Sequence, residues 1–349
     1  MKKIKAVSLI SGGLDSLLAT KVIIDQGIYV EAINFFSGFF GDLPDGVPRY
    51  IKKEKNKHSE EIVFDARWIA DTLGIKLNII DAVEDYKHVL FNPKHGYGAH
   101  LNPCLDCKIF MVNETIKWMK AHDFDFIITG EVIGQRPKSQ RKDTMPIVAQ
   151  NTEDRLLRPL CAKLLPPTLP EREGWVNREL LYDFNGRNRK PQIELAKKFG
   201  FKNFPQPAGG CILTDSAFTN RMRDYWQHRD NKNYSLEDVI LLKIGRHLRL
   251  TNNIKLIIGR DGAENYFLRE HYSKKYSHLQ SNDFNGALVI IDGQIDATNI
   301  EFIAKITAFF SQGKNADSVQ VLFSPLNAEP VILNVKPLPA SEIDKHWYI

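Results

Sequence analysis

Two sets of residues in this chain are spaced for chemistry. The first is Ser11-Gly12-Gly13-Leu14-Asp15-Ser16, a two-glycine turn flanked by hydroxyls. Glycine lets a backbone approach an anion closely. A helix starting there aims unpaired N–H groups and the positive end of its dipole at that anion. Ser11 and Ser16 add hydroxyl donors, and the lysine of a P-loop kinase motif is missing. The second set is made of cysteines. Cys104-Leu105-Asp106-Cys107 brings two thiols close enough to share a metal or a redox step. Cys211 follows Gly209 and Gly210, which permit sharp backbone geometry around its sulfur. Cys161 has apolar neighbours and reads as structural.

The elements that must position these groups follow from the hydrophobic pattern. Residues 4–10 form an apolar, β-branched run that reads as a buried parallel strand. Residues 17–25 read as a helix stopped at Gly27, and Tyr29 to Phe35 as the next strand. That βαβ unit implies a parallel sheet with a right-handed crossover. Residues 37–58 read as a loop over the nucleotide site, 59–73 as a helix and 75–81 as a strand. The predicted fold is α/β, a doubly wound parallel sheet. A helix predicted over 109–121 begins just after Cys107, and its N-terminus is expected to lower that thiol's pKa. Residues 124–131 read as a strand whose carboxyl end places Thr129, Gly130 and Glu131 in the same crevice as Ser11 to Ser16.

Beyond this lie two basic stretches, Gly134 to Lys142 and Asn185 to Gln192, either of which suits phosphates or a solvated surface. The 349 residues carry a formal net charge of +5, mildly basic and compatible with a nucleic-acid partner. Four cysteines, no secretory signal and no membrane-length apolar run predict a cytoplasmic protein without a disulfide framework.

Ser-Gly-Gly-x-Asp-Ser after such a strand resembles the PP-loop of the N-type ATP pyrophosphatases, a family with a HUP-like fold. Its members cut ATP between the α- and β-phosphates and leave an adenylate on a substrate oxygen. The resemblance implies ATP and Mg²⁺ at Ser11, Gly12, Gly13, Asp15 and Ser16, with Asp15 helping to hold the Mg²⁺–pyrophosphate unit. Thr129 and Gly130 resemble the second ATP-contacting element. Asn102-Pro103-Cys104-Leu105-Asp106-Cys107 is similar to the first cysteine motif of bacterial tRNA 2-thiouridylases, and Pro207-Ala208-Gly209-Gly210-Cys211 extends the likeness to tRNA thiolases. The implied activity is a tRNA sulfurtransferase that adenylates a uridine carbonyl oxygen and replaces it with sulfur. The implied partners are tRNA and a sulfur donor, sulfide or a persulfide carrier, with a homodimer left open and no membrane. In one version Cys104, Cys107 and Cys211 hold a 4Fe–4S cluster by three irons. In the other, metal-free, Cys107 and Cys211 carry and resolve a persulfide. A structural Zn²⁺ would need a fourth ligand such as His100. An amide ligase acting on a small molecule is the rival outside this chemistry, and it leaves the cysteine set without a role.

The chain changes character around 225–237, dividing 1–228 from a smaller α+β domain at 236–349. Ser235-Leu236-Glu237-Asp238 reads as a helix cap. Ile258-Gly259-Arg260-Asp261-Gly262-Ala263-Glu264-Asn265 is similar to the signature of the NFACT RNA-binding domain, which implies phosphate contacts from Arg246, Arg249, Arg260, Lys274 and Lys275.

Overall fold

The computed structural model describes residues 3–40, 65–205, 211–229 and 232–349. Most of the loop expected at 37–58, residues 59–64 and the Pro207 to Gly210 turn lie outside the described residues. Among the described residues, those up to Asp215 form one compact unit and those from Ser216 another.

The first unit runs β1 (Lys5–Leu9), α1 (Leu14–Ile24), β2 (Tyr29–Phe36), α2 (Ala66–Leu73), β3 (Leu77–Asp81), α3 (Val83–Phe91), α4 (Cys104–Ala121), β4 (Phe126–Thr129), α5 (Met145–Ala149), β5 (Leu156–Leu157), α6 (Leu169–Arg172) and α7 (Lys190–Lys198). Its five strands lie in the order β3-β2-β1-β4-β5, and every pairing is parallel. Successive residues of β1 face opposite ways, as the pleat requires. Ala6 joins Leu17, Leu18 and Val22 of α1 and Leu195 of α7 in one core. Val7 and Leu9 join Val112, Ile116 and Met119 of α4 in the other. Both faces are covered, so the doubly wound sheet expected from the alternation is the one observed. Strand order reverses between β1 and β4, which opens a crevice beyond their carboxyl ends.

One local reading needs correction. α4 begins at Cys104, so both cysteines of the pair sit in its first turn, not ahead of it. The apolar segment from Arg155 to Leu165 contributes only the two residues of β5 and then a 3-10 turn at Ala162–Leu164. Apolar content there serves burial, not extension: Leu160, Cys161 and Ala162 are buried in a turn.

The second unit runs α8 (Ser216–Gln227), α9 (Leu236–Lys243), β6 (Arg246–Thr251), β7 (Ile254–Ile258), α10 (Gly262–Tyr272), β8 (His278–Ser281), β9 (Val289–Gly293), α11 (Ala297–Phe309), β10 (Val319–Ser324) and β11 (Val331–Val335). Its sheet has the order β11-β10-β8-β9-β7-β6, antiparallel throughout. Ile303, Ala304 and Ile306 of α11 pack on Leu256, Val289 and Val321. Ser235 and Asp238 form the capping box that opens α9. α8 lies before the polar stretch at 228–237, yet it is fastened within this unit. Asp224 accepts from Arg249 at 2.9 and 2.7 Å and from the buried Lys255 at 3.0 Å.

The Gly259 to Asn265 signature has a structural explanation. Asp261 caps α10 by accepting from the Ala263 and Glu264 N–H groups, each at 3.0 Å. Asn265 Nδ2 donates to the Gly286 carbonyl at 3.1 Å and its Oδ1 accepts from Leu288 N at 3.0 Å. A side chain at position 259 would collide with Asn265 Oδ1, so glycine is required there. Three of the five cations expected to meet phosphates are already committed to carboxylates: Arg249 to Asp224, Arg260 to Glu264 and Lys275 to Glu237.

Candidate nucleotide and thiol site

The glycine turn sits at the carboxyl end of β1, against the first turn of α1. Gly12 has φ +75°, and a Cβ there would approach the Asp65 Cα to 3.0 Å. Asp65 in turn caps α2 by accepting from Trp68 N at 2.8 Å. Gly13 is the N-cap of α1 and offers no side chain, which leaves the helix's first N–H groups unblocked. Ser16 Oγ donates back to the Gly13 carbonyl at 2.8 Å and accepts from Ser11 N at 3.4 Å, holding the turn shut. Asn34 Nδ2 donates to the Ile10 carbonyl at 2.8 Å and fixes the chain as it leaves β1.

β4 supplies the opposite wall. A Cβ on Gly130 would come within 2.5 Å of the Asp15 carbonyl carbon, so the strand end can press on α1 only through glycine. The Thr129 hydroxyl is fully buried and donates to Glu131 Oε2 at 3.0 Å. Arg158 Nε donates to the same oxygen at 3.1 Å, making a buried ion pair. Burial pushes the Glu131 carboxyl up, but the charges of Lys108 and Arg158 and the two hydrogen bonds outweigh it and hold it below the usual carboxylate range. Glu131 Oε1 is buried with no hydrogen-bond partner.

Asp15 stands at the centre. Gln135 Nε2 donates to its Oδ2 at 2.6 Å, and Arg189 Nη1 donates to that same oxygen. Gln192, buried at the start of α7, donates to Gln135 Oε1 at 3.1 Å. Asp15 Oδ1 is buried and has no partner. An orphaned carboxylate oxygen beside a helix N-terminus suits a hard divalent cation carried in with phosphates. Arg189 comes from the second basic stretch and Gln135 from the first, so each stretch turns one residue inward. Arg136, Lys138, Arg141 and Lys142 of the first stretch stay exposed.

The cysteines gather beside this crevice. Cys104 Sγ donates to the buried Ser139 hydroxyl at 3.2 Å. The Leu101 N–H donates to the Leu213 carbonyl at 3.2 Å, tying the approach to α4 to the turn that carries Cys211. Cys107 lies within electrostatic reach of both Cys104 and Cys211 and bonds to the buried Tyr86 hydroxyl. Burial pushes the Cys107 thiol up to about 12, and the nearby cysteines add to that; Tyr86 and Lys108 oppose them and lose. Desolvation thus works against the thiolate expected from the helix start. Lys108 acts on Cys107 and on Glu131 alike, linking the thiols to the wall of the crevice. Three thiols are the donor chemistry of an iron–sulfur site. Among the described residues, no three of His, Cys, Asp or Glu stand close enough together to hold a metal ion. Cys161 is fully buried against Ile133, Met145 and Leu165, its thiol donating to the Glu131 carbonyl at 3.2 Å.

Sequence reasoning did not single out Gln135, Gln192 or Tyr86. Gln135 alternates with exposed basic neighbours, and no pattern marks it; Gln192 directly follows Pro191 at a helix start, which was a usable signal.

Residues 4–157 match the family model described as tRNA methyl transferase HUP domain, and residues 245–348 match the one described as NFACT protein RNA binding domain. The resemblances drawn from the two motifs thus extend over most of each region. The tRNA-specific 2-thiouridylase MnmA of Cytophaga hutchinsonii is 30% identical over 149 residues, 40% of this chain and 38% of that protein. Its counterpart in Mesoplasma florum is 30% identical over 163 residues, 44% of this chain and 42% of its own. The chain thus spans less than half the length of the curated relatives it matches. A predicted tRNA methyltransferase subunit from Methanocaldococcus jannaschii aligns at 15% identity over 56% of this chain and 88% of its own, with a TM-score of 0.31, too loose a match to argue from.

Proposed function

We propose that this chain is an ATP-dependent tRNA sulfurtransferase acting on a uridine carbonyl. The observation that carries the reading is a crevice with an anion turn and an orphaned Asp15 oxygen, with Cys107 beside it in electrostatic reach of both Cys104 and Cys211. The N–H groups at Gly13 and the start of α1 would stabilise the charge of the departing pyrophosphate. Asp15 Oδ1 would hold the Mg²⁺ that travels with it. The base oxygen attacks the α-phosphorus, pyrophosphate leaves, and the oxygen later departs with AMP when sulfur bonds to the ring carbon.

Cys104, Cys107 and Cys211 are the residues to hold a 4Fe–4S cluster, whose open iron would supply bound sulfide. The upward push on the half-buried Cys107 thiol favours this version. A thiol that gives up its proton only to a cation is a poor free nucleophile at neutral pH but a sound ligand. A second version, persulfide on Cys107 or Cys211 resolved as their disulfide, is favoured by the separation of the donors among the described residues.

The test is anaerobic purification with iron and sulfide analysis of wild type and of Cys104→Ala, Cys107→Ala and Cys211→Ala, paired with tRNA-dependent pyrophosphate release and thionucleoside analysis. Iron lost in each variant together with thiolation supports the cluster. Thiolation by iron-free protein in air supports the persulfide. Pyrophosphate release without any tRNA dependence overturns the reading and returns the amide ligase.

A further inference from the structure

The second unit contains a polar cavity of about 320 Å³. It is lined by Tyr225 on α8, His228 and Arg229 just after it, Arg249 on β6, and Asn252 and Asn253 at the β6–β7 turn. Asp292 and Gly293, at the end of β9, close it. None of this belongs to the nucleotide crevice, and the α8 residues lie ahead of the region that matches the RNA-binding family model. We propose that this cavity receives one unpaired nucleotide of an RNA strand. The inference rests on the tRNA reading above and adds to it the place and the form in which the RNA is held.

Four features lead there. The first is a stacking platform: the Arg229 guanidinium lies 5.0 Å from the centre of the Tyr225 ring. Aromatic rings and guanidinium planes are what unstacked bases lie on in single-stranded RNA recognition. The second is unspent donor capacity. Arg229 meets Asp292 through Nη2 alone, at 2.9 and 3.1 Å, which leaves Nε and Nη1 outside that pair. The Asn252 and Asn253 amides bring both donors and acceptors to the rim, as the edge of a base requires.

The third feature is charge. Among the lining residues Arg229 and Arg249 stand against the single carboxylate of Asp292, and Arg249 is also paired with Asp224. The balance suits one phosphodiester, whereas a duplex groove would call for a broad basic face. The fourth is a fixed floor. Gly293 has φ +142°, and any side chain there would strike the Asn253 carbonyl. The hairpin turn is thereby seated directly on the end of β9. The volume is at the small end of ligand pockets, enough for one nucleotide and too little for a base pair.

Free mononucleotides share this chemistry, so the experiment separates the two sources. Full-length protein is titrated with a labelled single-stranded oligoribonucleotide, with tRNA, and with free 5′-mononucleotides as competitors. Tyr225→Leu and Arg229→Gln should each weaken single-stranded RNA binding about tenfold, the loss expected for one stacked base. Asn252→Ala, on an exposed turn that cannot unfold the unit, should change the preference among bases at one position. Photocrosslinking of 5-iodouridine RNA should label Tyr225. Unchanged RNA affinity in all three variants overturns the site while the tRNA reading stands. A mononucleotide that competes at the RNA's own affinity overturns it in favour of a free nucleotide. Wild-type protein that binds no RNA removes both this site and the tRNA reading.

Discussion

At Cys107 two familiar effects compete, and their relative size decides the chemistry. A helix start and the Tyr86 hydrogen bond favour the thiolate; desolvation and two neighbouring thiols disfavour it and prevail, taking the thiol to about 12. The metal-free protein should therefore show an unreactive Cys107 at pH 8, alkylated at least a hundredfold more slowly (on an order-of-magnitude basis) than a free thiol. Mass spectrometry of iodoacetamide-treated protein checks this, and ready alkylation would mean that the sulfur is better solvated than its surroundings imply. Asp15 poses the opposite question, since one oxygen is doubly occupied and the other has no partner. Arg189→Ala leaves Oδ2 with Gln135 alone and removes a competing cation. Mn²⁺, used as a spin probe for Mg²⁺, should then bind about tenfold tighter without nucleotide, or about 1.4 kcal/mol. An unchanged Mn²⁺ titration would remove Asp15 from the cation site.

Elements matter here mainly by how closely they approach. α1 and the end of β4 touch backbone to backbone because position 130 is glycine. Gly130→Ala should cost about 1–3 kcal/mol through overpacking and cut pyrophosphate release sharply, since α1 must shift and carry Asp15 with it. Urea unfolding and a pyrophosphate assay on the same sample measure the two effects, and a stable, fully active variant would deny the contact its role. The parallel sheet and the glycine turn were legible in the sequence because βαβ periodicity and the Gly-Gly string are local signals. Gln135 and Arg189 were not legible as partners of Asp15, nor Gln192 as the support of Gln135. These contacts depend on how α7 and the loop after β4 fold back, which no short window records. The start of α4 was misplaced for a related reason: Pro103 reads as a break, yet it serves as the N-cap residue of the helix.

Across the whole molecule, each unit contains a carboxylate kept charged against burial. For Glu131 and for Asp224, burial raises the carboxyl and the neighbouring cations more than reverse it, leaving both below their ordinary values. Stabilisation of that sign is complete above the ordinary carboxylate pKa of about 4 and is lost as pH falls through the lower folded-state value. Unfolding midpoints in urea should thus fall steeply only below about pH 4. Glu131→Gln and Asp224→Asn should each cost about 3–5 kcal/mol at neutral pH, because Arg158 or the buried Lys255 loses its counterion. Each variant should also flatten the acid limb; an unaltered limb would show that the pair adds nothing. The contact between Asp15 and Arg189 has a further consequence, for the order of assembly. The two residues are 174 positions apart, while the strands flanking the crevice start far closer to the N-terminus. Contacts that distant carry the largest loop-closure entropy and form late. A nascent chain can therefore lay down β1 to β4 well before the acidic centre of its crevice meets its arginine.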